Sequence, residues 1–230
     1  MKATTPKTIL IAGNMAGMQY TSTLIGTLGD GLQALGYSAK YVAIDIEAKP
    51  MLQKLHPSTV HIRHYDSAAT DDAVYNSPAD ITMIDCPLCY KIPHLLIPPT
   101  DCGYRIVTGI VVNTRSERSI AGGIEFAKTF NPISSGCIVL AVAGRVENSA
   151  ALNDGKERLT EISGGRVICF PRFTMSMCFQ NALRPTVPSG HIAQARNEKI
   201  ASDWRGYQKE TLESISSHAE WLTGKPIPKP

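Results

Sequence analysis

The sequence predicts an α/β domain: a mostly parallel, twisted sheet with helices on both faces. Three observations carry this. Short apolar runs recur along the chain, at Thr8–Gly13, Tyr41–Ile46, Val60–His64, Ile81–Ile84, Arg105–Val112, Cys137–Ala143 and Arg166–Phe170. They are continuous rather than alternating, as strands covered on both faces require. Segments of helical spacing lie between several of them, the pattern of parallel strands joined by crossover helices.

Taken in order, Thr8–Gly13 reads as a buried strand ending in glycine. Thr21–Leu35 follows with Leu24, Leu28, Leu32 and Leu35 on one helical stripe, and Gly36 is its stop signal. Tyr41–Ile46 is the second strand, Pro50–Leu55 a short helix, Val60–His64 the third strand and Ser67–Tyr75 a helical stretch. Ile81–Ile84 is a strand that runs into Asp85, and the proline-rich Pro87–Gly103 reads as loop. Arg105–Val112 is a strand, Ser119–Phe130 a helix closed by Asn131-Pro132, and Cys137–Ala143 and Arg166–Phe170 are two more strands. Residues 195–222 form a polar helix with apolar positions at Ile200, Trp204, Tyr207 and Ile215. The expected organisation is a single domain over residues 1–222 and a flexible tail over 223–230.

The bulk numbers bound the function. A chain of 230 residues with 43% hydrophobic content buries one real core. A net charge of +3 and a pI near 8.5 are far from the pattern of a dedicated DNA-coating protein. The apolar run Ile9–Ala12 is too short for a signal peptide, and no stretch reaches the roughly 18 apolar residues of a membrane span. The six cysteines lie mostly in apolar strand-like runs, which reads as buried, reduced thiols in a cytoplasmic protein.

In parallel sheets the ligand site lies beyond the carboxyl ends of the strands. Gly13, Asp45 and Asp85 stand at three such ends. The first strand runs into Gly13, Asn14, Met15, Ala16, Gly17, Met18, Gln19, Tyr20, Thr21 and Ser22, and a helix follows at once. A strand, a glycine loop and a helix N-terminus together make a cradle for an anion such as phosphate. Thr21 and Ser22 stand where a hydroxyl can ligate magnesium. By itself the loop also fits a plain tight turn between strand and helix. Asp45 and Glu47 follow the second strand, and Asp85 precedes Cys86-Pro87. Acids at strand tips cost desolvation unless cations stand near, so together with the loop they fit a metal–phosphate site.

The order and spacing of these motifs resemble the ParA/MinD branch of P-loop ATPases. That family reads G-x-K-G-G-x-G-K-[ST]-[ST] after its first strand, then a strand ending D-x-D and a later one ending I-D-x-P. Laid without gaps, Gly13, Gly17, Thr21 and Ser22 fall in family positions, as do Asp45 with Glu47 and Asp85 with Pro87. Val107–Gly122 is similar to the family's strand followed by an S-x-x-G helix start, and Phe170-Pro171-Arg172 to its late strand ending in proline. The resemblance spans roughly residues 7 to 190. It implies ATP or ADP with magnesium as cofactor, Thr21 on the ion, Asp85 on its water shell, and Glu47 with Asp45 as the catalytic acids, Glu47 orienting water.

The departures bear on function. Met15 stands where the family's signature lysine reaches across a dimer, Tyr20 where a lysine contacts the β/γ phosphates, and Gln19 where a glycine stands. Each charge-assisted contact contributes about 1.5–3 kcal/mol, so affinity falls by orders of magnitude. Catalysis suffers more, because such cations stabilise the transferring phosphoryl group. Arg115, Arg145 and Arg172, on loops near strand ends, are candidate replacement cations. The resemblance implies weak nucleotide binding with slow or no hydrolysis, a homodimer, and a DNA-binding partner protein, with DNA contacted weakly or indirectly. The short length, the lack of an N-terminal DNA-binding extension and the eroded loop are closest to the small plasmid-encoded members. Two other readings stand beside it: a scaffold with a vestigial site, and a small-molecule kinase or ligase of the same superfamily, against which Tyr20 counts.

Three features invite chemistry without carrying it. Cys86 and Cys89 form a C-x-x-C, but in a proline-rich loop with no second pair and only Cys102 nearby. His61 and His64 are three apart on a strand and point to opposite faces. The C-terminal helix mixes Lys209 with Glu210 and Glu213, which suits packing on the domain rather than an anionic membrane.

Overall fold

The computed structural model describes residues 7–16, 21–44, 52–53, 56–62, 72–85, 103–142, 150–170 and 198–228, with backbone alone at 150–151 and 198–208. Seven strands form one sheet: β1 (Lys7–Gly13), β2 (Ala39–Ile44), β3 (Val60–Ile62), β4 (Ile81–Asp85), β5 (Tyr104–Asn113), β6 (Cys137–Val142) and β7 (Val167–Phe170). Their order is β3-β2-β4-β1-β5-β6-β7, and every neighbouring pair is parallel. Among the described residues the long helices are α1 (Thr21–Ala34), α2 (Glu117–Phe130), α3 (Ala150–Ser163) and α4 (Glu198–Thr223).

Alternate residues of each strand feed opposite layers. Leu10, Ala12, Met83, Val107 and Val111 pack with Leu24, Leu28 and Leu32 of α1 and with Ile215, Ala219 and Leu222 of α4. Ile9, Ile11, Ile84 and Ile106 face the other way, onto Phe126 and Phe130 of α2. Ile110, Val112 and Val139 pack there with Ile120 and Ile124 of α2 and with Leu152 and Leu159 of α3. The helices thus cover both faces, and continuous apolar runs are what such strands need.

The predicted strands are all present within a few residues of their expected bounds. Gly36 ends α1 at φ +90°, with the N–H of Tyr37 on the carbonyl of Leu32, a Schellman closure. Leu52 and Gln53 are helical, as are residues 72–75. The C-terminal helix packs on the domain through Ile215, Ala219 and Leu222, and no helix among the described residues is long and apolar enough to cross a membrane.

Two features were not expected. Helix α3 was not foreseen, because its apolar positions are sparse and Asn153, Asp154 and Gly155 interrupt it. Gly155 is where α2 comes close, since a Cβ there meets Ile120 Cγ2 at 2.5 Å. Cys169 is exposed on the edge strand β7, while Cys137 is buried as expected. The residues that follow α4 contact the domain. Lys225 pairs with Asp80, its carbonyl accepts the Tyr37 hydroxyl at 3.0 Å, and the N–H of Ile227 donates to Glu220 Oε1 at 3.3 Å. Prolines leave little backbone entropy to lose there, which makes such docking inexpensive.

Candidate functional site

Strand β1 sits at the middle of the sheet, and the chain turns opposite ways on its two sides. From β1 it crosses by α1 to β2; from β5 it crosses by α2 to β6 on the other face. The carboxyl edge between β1 and β5 is therefore a switch point, where helices diverge and leave a crevice. Residues 13–16 of the glycine loop lie there.

The first half of the loop is fastened to α2 by Asn14, which is 3% exposed. Its Nδ2 donates to the carbonyls of Val111 at 2.6 Å and Ser119 at 2.8 Å. Its Oδ1 accepts the N–H of Ala16 at 2.8 Å, a local turn that asparagine favours. The N–H of Met15 donates to the carbonyl of Gly122 at 3.2 Å. Glycine is required at 122, because a Cβ there would lie 2.6 Å from the Ala16 nitrogen and from Ala16 Cβ. The N–H groups of Met15 and Ala16 are thus committed inside the protein. An anion at this loop cannot draw on those two N–H groups and would rely on others, such as those at the N-terminus of α1.

At the start of α1, Thr21 is buried and the hydroxyl of Ser22 donates to Asp85 Oδ2. Asp85 is 4% exposed, at the tip of β4 between β1 and β2, in register with Ala12 and Ala43. The structure therefore joins two of the expected site residues, Ser22 and Asp85. These hard oxygen donors, one hydroxyl and one carboxylate at a helix N-terminus, suit magnesium held partly by water and by phosphate. The chemistry such an ion supplies is neutralisation of phosphate charge.

The turn from β5 into α2 borders the same crevice. Ser116 caps α2 by accepting the N–H of Ser119 at 3.2 Å. Ser119 in turn accepts the N–H of Asn113 at 2.9 Å, and Asn113 Oδ1 accepts the N–H of Arg115 at 3.0 Å. Arg115 is half-buried, and its Nε is buried with no hydrogen-bond partner.

Met15 is exposed at 39%. Gly17, Met18, Gln19 and Tyr20 lie outside the described residues, as do Asp45, Glu47, Arg145 and Arg172. So do Cys86, Cys89, Cys102 and His64; His61 sits on β3 opposite Ala43. Among the described residues no group of three or more His, Cys, Asp or Glu stands close enough to hold a metal unaided. The sequence reading placed Asn14 in the loop but missed its bonds to Val111 and Ser119. The only trace of them was the S-x-x-G at Ser119–Gly122.

No protein-family model and no curated protein matches the sequence. Solved structures do. The MinC:MinD cell division protein complex of Aquifex aeolicus matches with a TM-score of 0.56 at 15% identity, over 97% of this chain and 98% of that chain. MinD of Aquifex aeolicus matches with a TM-score of 0.55 at 16% identity, over 96% of this chain and 98% of that chain. The fold is of the ParA/MinD P-loop type. Within that MinD-like frame, the Asn14 loop and the Ser22–Asp85 pair occupy the carboxyl edge where β1 passes into α1.

Proposed function

We propose that this protein is a nucleotide-dependent switch of ParA/MinD type that binds ATP or ADP with magnesium weakly and hydrolyses it slowly or not at all. The observation that carries this reading is the bond from Ser22 to the buried Asp85 at the foot of the loop. A carboxylate buried at a strand tip is costly, and a metal-bound phosphate gives it a use. Thr21 on the ion and Glu47 with Asp45 near the transferring phosphate complete the assignment. With lysines missing at Met15 and Tyr20, binding falls to backbone donors and the ion. As a homodimer with a DNA-binding partner protein it serves plasmid maintenance or conjugative transfer, in the manner of the plasmid stability protein StbB.

The test is calorimetry with ATP and ADP, with and without magnesium, on the wild type, Ser22→Ala and Asp85→Ala. Ser22→Ala guards against a buried-aspartate variant that fails to fold. A magnesium-dependent heat that both substitutions abolish supports the switch. No binding at millimolar nucleotide sinks it.

A second reading has its own support. The N–H groups of Met15 and Ala16 are spent on internal bonds, and Met15 presents an exposed apolar side chain where a charge would serve catalysis. A dimeric scaffold with a vestigial site accounts for both, and silence in the calorimeter selects it.

A further inference from the structure

We infer that α4 guards the outer edge of β7 against strand addition, with Ser214 and His218 holding the two backbone groups through which a second copy of this chain would pair. The inference is independent of the nucleotide reading.

The edge is the first argument. Among the described residues β7 is the last strand of the sheet, with β6 beside it. A strand turns the backbone groups of successive residues to opposite sides. The carbonyl of Arg166 accepts the N–H of Val139 at 2.9 Å, so Arg166, Ile168 and Phe170 direct their groups at β6. Val167 and Cys169 therefore direct theirs outward. The strand reads Val-Ile-Cys-Phe, apolar and suited to β structure, with no proline or charge of its own. Left open, such an edge is a template for pairing with another chain.

The cover on that edge is the second. The N–H of Cys169 donates to Ser214 Oγ at 3.2 Å. The carbonyl of Val167 lies 3.2 Å from His218 Nε2, and because a carbonyl only accepts, that nitrogen carries a proton. Ser214 and His218 are one helical turn apart, the spacing that puts two side chains on one stripe. One turn further on, the Trp221 ring takes the guanidinium of Arg166, the residue before β7, at 4.3 Å. A neighbouring stripe, Ile215, Ala219 and Leu222, is fully buried and anchors the helix.

The third argument is that packing alone does not call for the polar stripe. The buried stripe already fastens α4, and the Cys169 side chain is exposed, so no buried group there demands a partner. What Ser214 and His218 share is their targets, one outward donor and one outward acceptor, the groups that an incoming strand would take. Strand β3, at the other end of the sheet order, is three residues long, and a short edge is itself a safeguard.

The experiment uses the full chain without nucleotide, under reducing conditions. It reads exchange of the Cys169 amide by NMR and association by sedimentation velocity over a wide range of concentration. Ser214→Ala with His218→Ala should quicken that exchange by about two- to tenfold and give concentration-dependent species larger than those of the wild type. Ser214→Ala alone, the milder change, should move both readouts in the same direction. Ser214→Thr with His218→Gln keeps an acceptor and a donor and should behave as the wild type. Adding Cys169→Pro to the alanine pair removes the outward N–H and should abolish the larger species, whereas Cys169→Ser, which keeps it, should not. Larger species that persist with Cys169→Pro mark general aggregation and overturn the proposal. Alanine variants that exchange and sediment as the wild type does overturn it as well.

Discussion

Gly122 lies so close to Asn14 that a single methyl group on Gly122 would collide with the asparagine's side-chain oxygen. The same methyl would stand 2.6 Å from the backbone nitrogen of Ala16. The helix and the loop are therefore fitted to each other at a glycine, and the expected effect of Gly122→Ala follows from two opposing terms. Alanine improves helix propensity by about 1 kcal/mol. Overpacking against backbone, which no rotamer relieves, costs about 1–3 kcal/mol. The strain should win, leaving the variant less stable in urea by about 1 kcal/mol. Any nucleotide response should fall with it, because the loop must shift.

Asn14 offers a sharper test of the same junction. Asn14→Ala leaves two buried carbonyls and the Ala16 N–H each short of a partner, at a cost of about 2–3 kcal/mol. Asn14→Asp is nearly the same shape but points an acceptor at the carbonyls of Val111 and Ser119. Only the protonated acid can donate to them, so the folded protein should raise that carboxyl above its unfolded pKa near 3.9. A raised folded pKa means the deficit is smallest below about pH 4 and grows as pH rises through the folded value. Chemical denaturation from pH 4 to 8 should show the Asp variant losing ground to the Ala variant.

These two residues also mark what was legible in the sequence. The strands announced themselves because their apolar runs are continuous, and Gly13 and Asp85 stood at recognisable ends. Helix α3 did not, since among its described residues the apolar contacts come from Leu152, Leu159 and Ile162, set in a polar, glycine-interrupted remainder. The contact of Ser22 with Asp85 depends on how α1 is rotated against the sheet, a matter of packing rather than spacing. The bonds of Asn14 to residues about a hundred positions away, and of Lys225 to Asp80, join segments that nothing local connects.

The Asp80–Lys225 contact predicts how stability responds to acid. Partial burial pushes the Asp80 carboxyl up. The hydrogen bond and charge of Lys225, with the N–H and hydroxyl of Ser38, more than offset this and leave it below the usual value. A depressed folded pKa contributes stability that is present above the unfolded pKa and disappears as pH falls through the folded one. At pH 7, Asp80→Asn should cost about 1 kcal/mol or less, because Lys225 is partly exposed. The difference from wild type should begin to shrink only below about pH 4 and vanish as pH falls through the lowered folded value. Hydrogen exchange over residues 225–227 should quicken in the variant at neutral pH, and in the wild type only in acid.

Placing lysines at positions 15 and 20 tests whether the loop lacks only cations or also the architecture to bind phosphate. Met15 is exposed at 39%, so Met15→Lys should change stability by no more than about 0.5 kcal/mol. Tyr20→Lys places a charge where the resemblance puts the β/γ phosphates. One such contact is worth about 1.5–3 kcal/mol, roughly ten- to a hundredfold in affinity. The expected order of ATP affinity is wild type, then Met15→Lys, then Tyr20→Lys, with the double variant tightest. Phosphate release should appear first in the double variant, because the resemblance puts a lysine at position 15 across a dimer on the transferring group. If Tyr20→Lys binds no better than wild type while folding normally, the fault lies in the backbone. The bonds that commit the N–H of Met15 to Gly122 and that of Ala16 to Asn14 would then be what disables the loop, and the switch reading would give way to the scaffold.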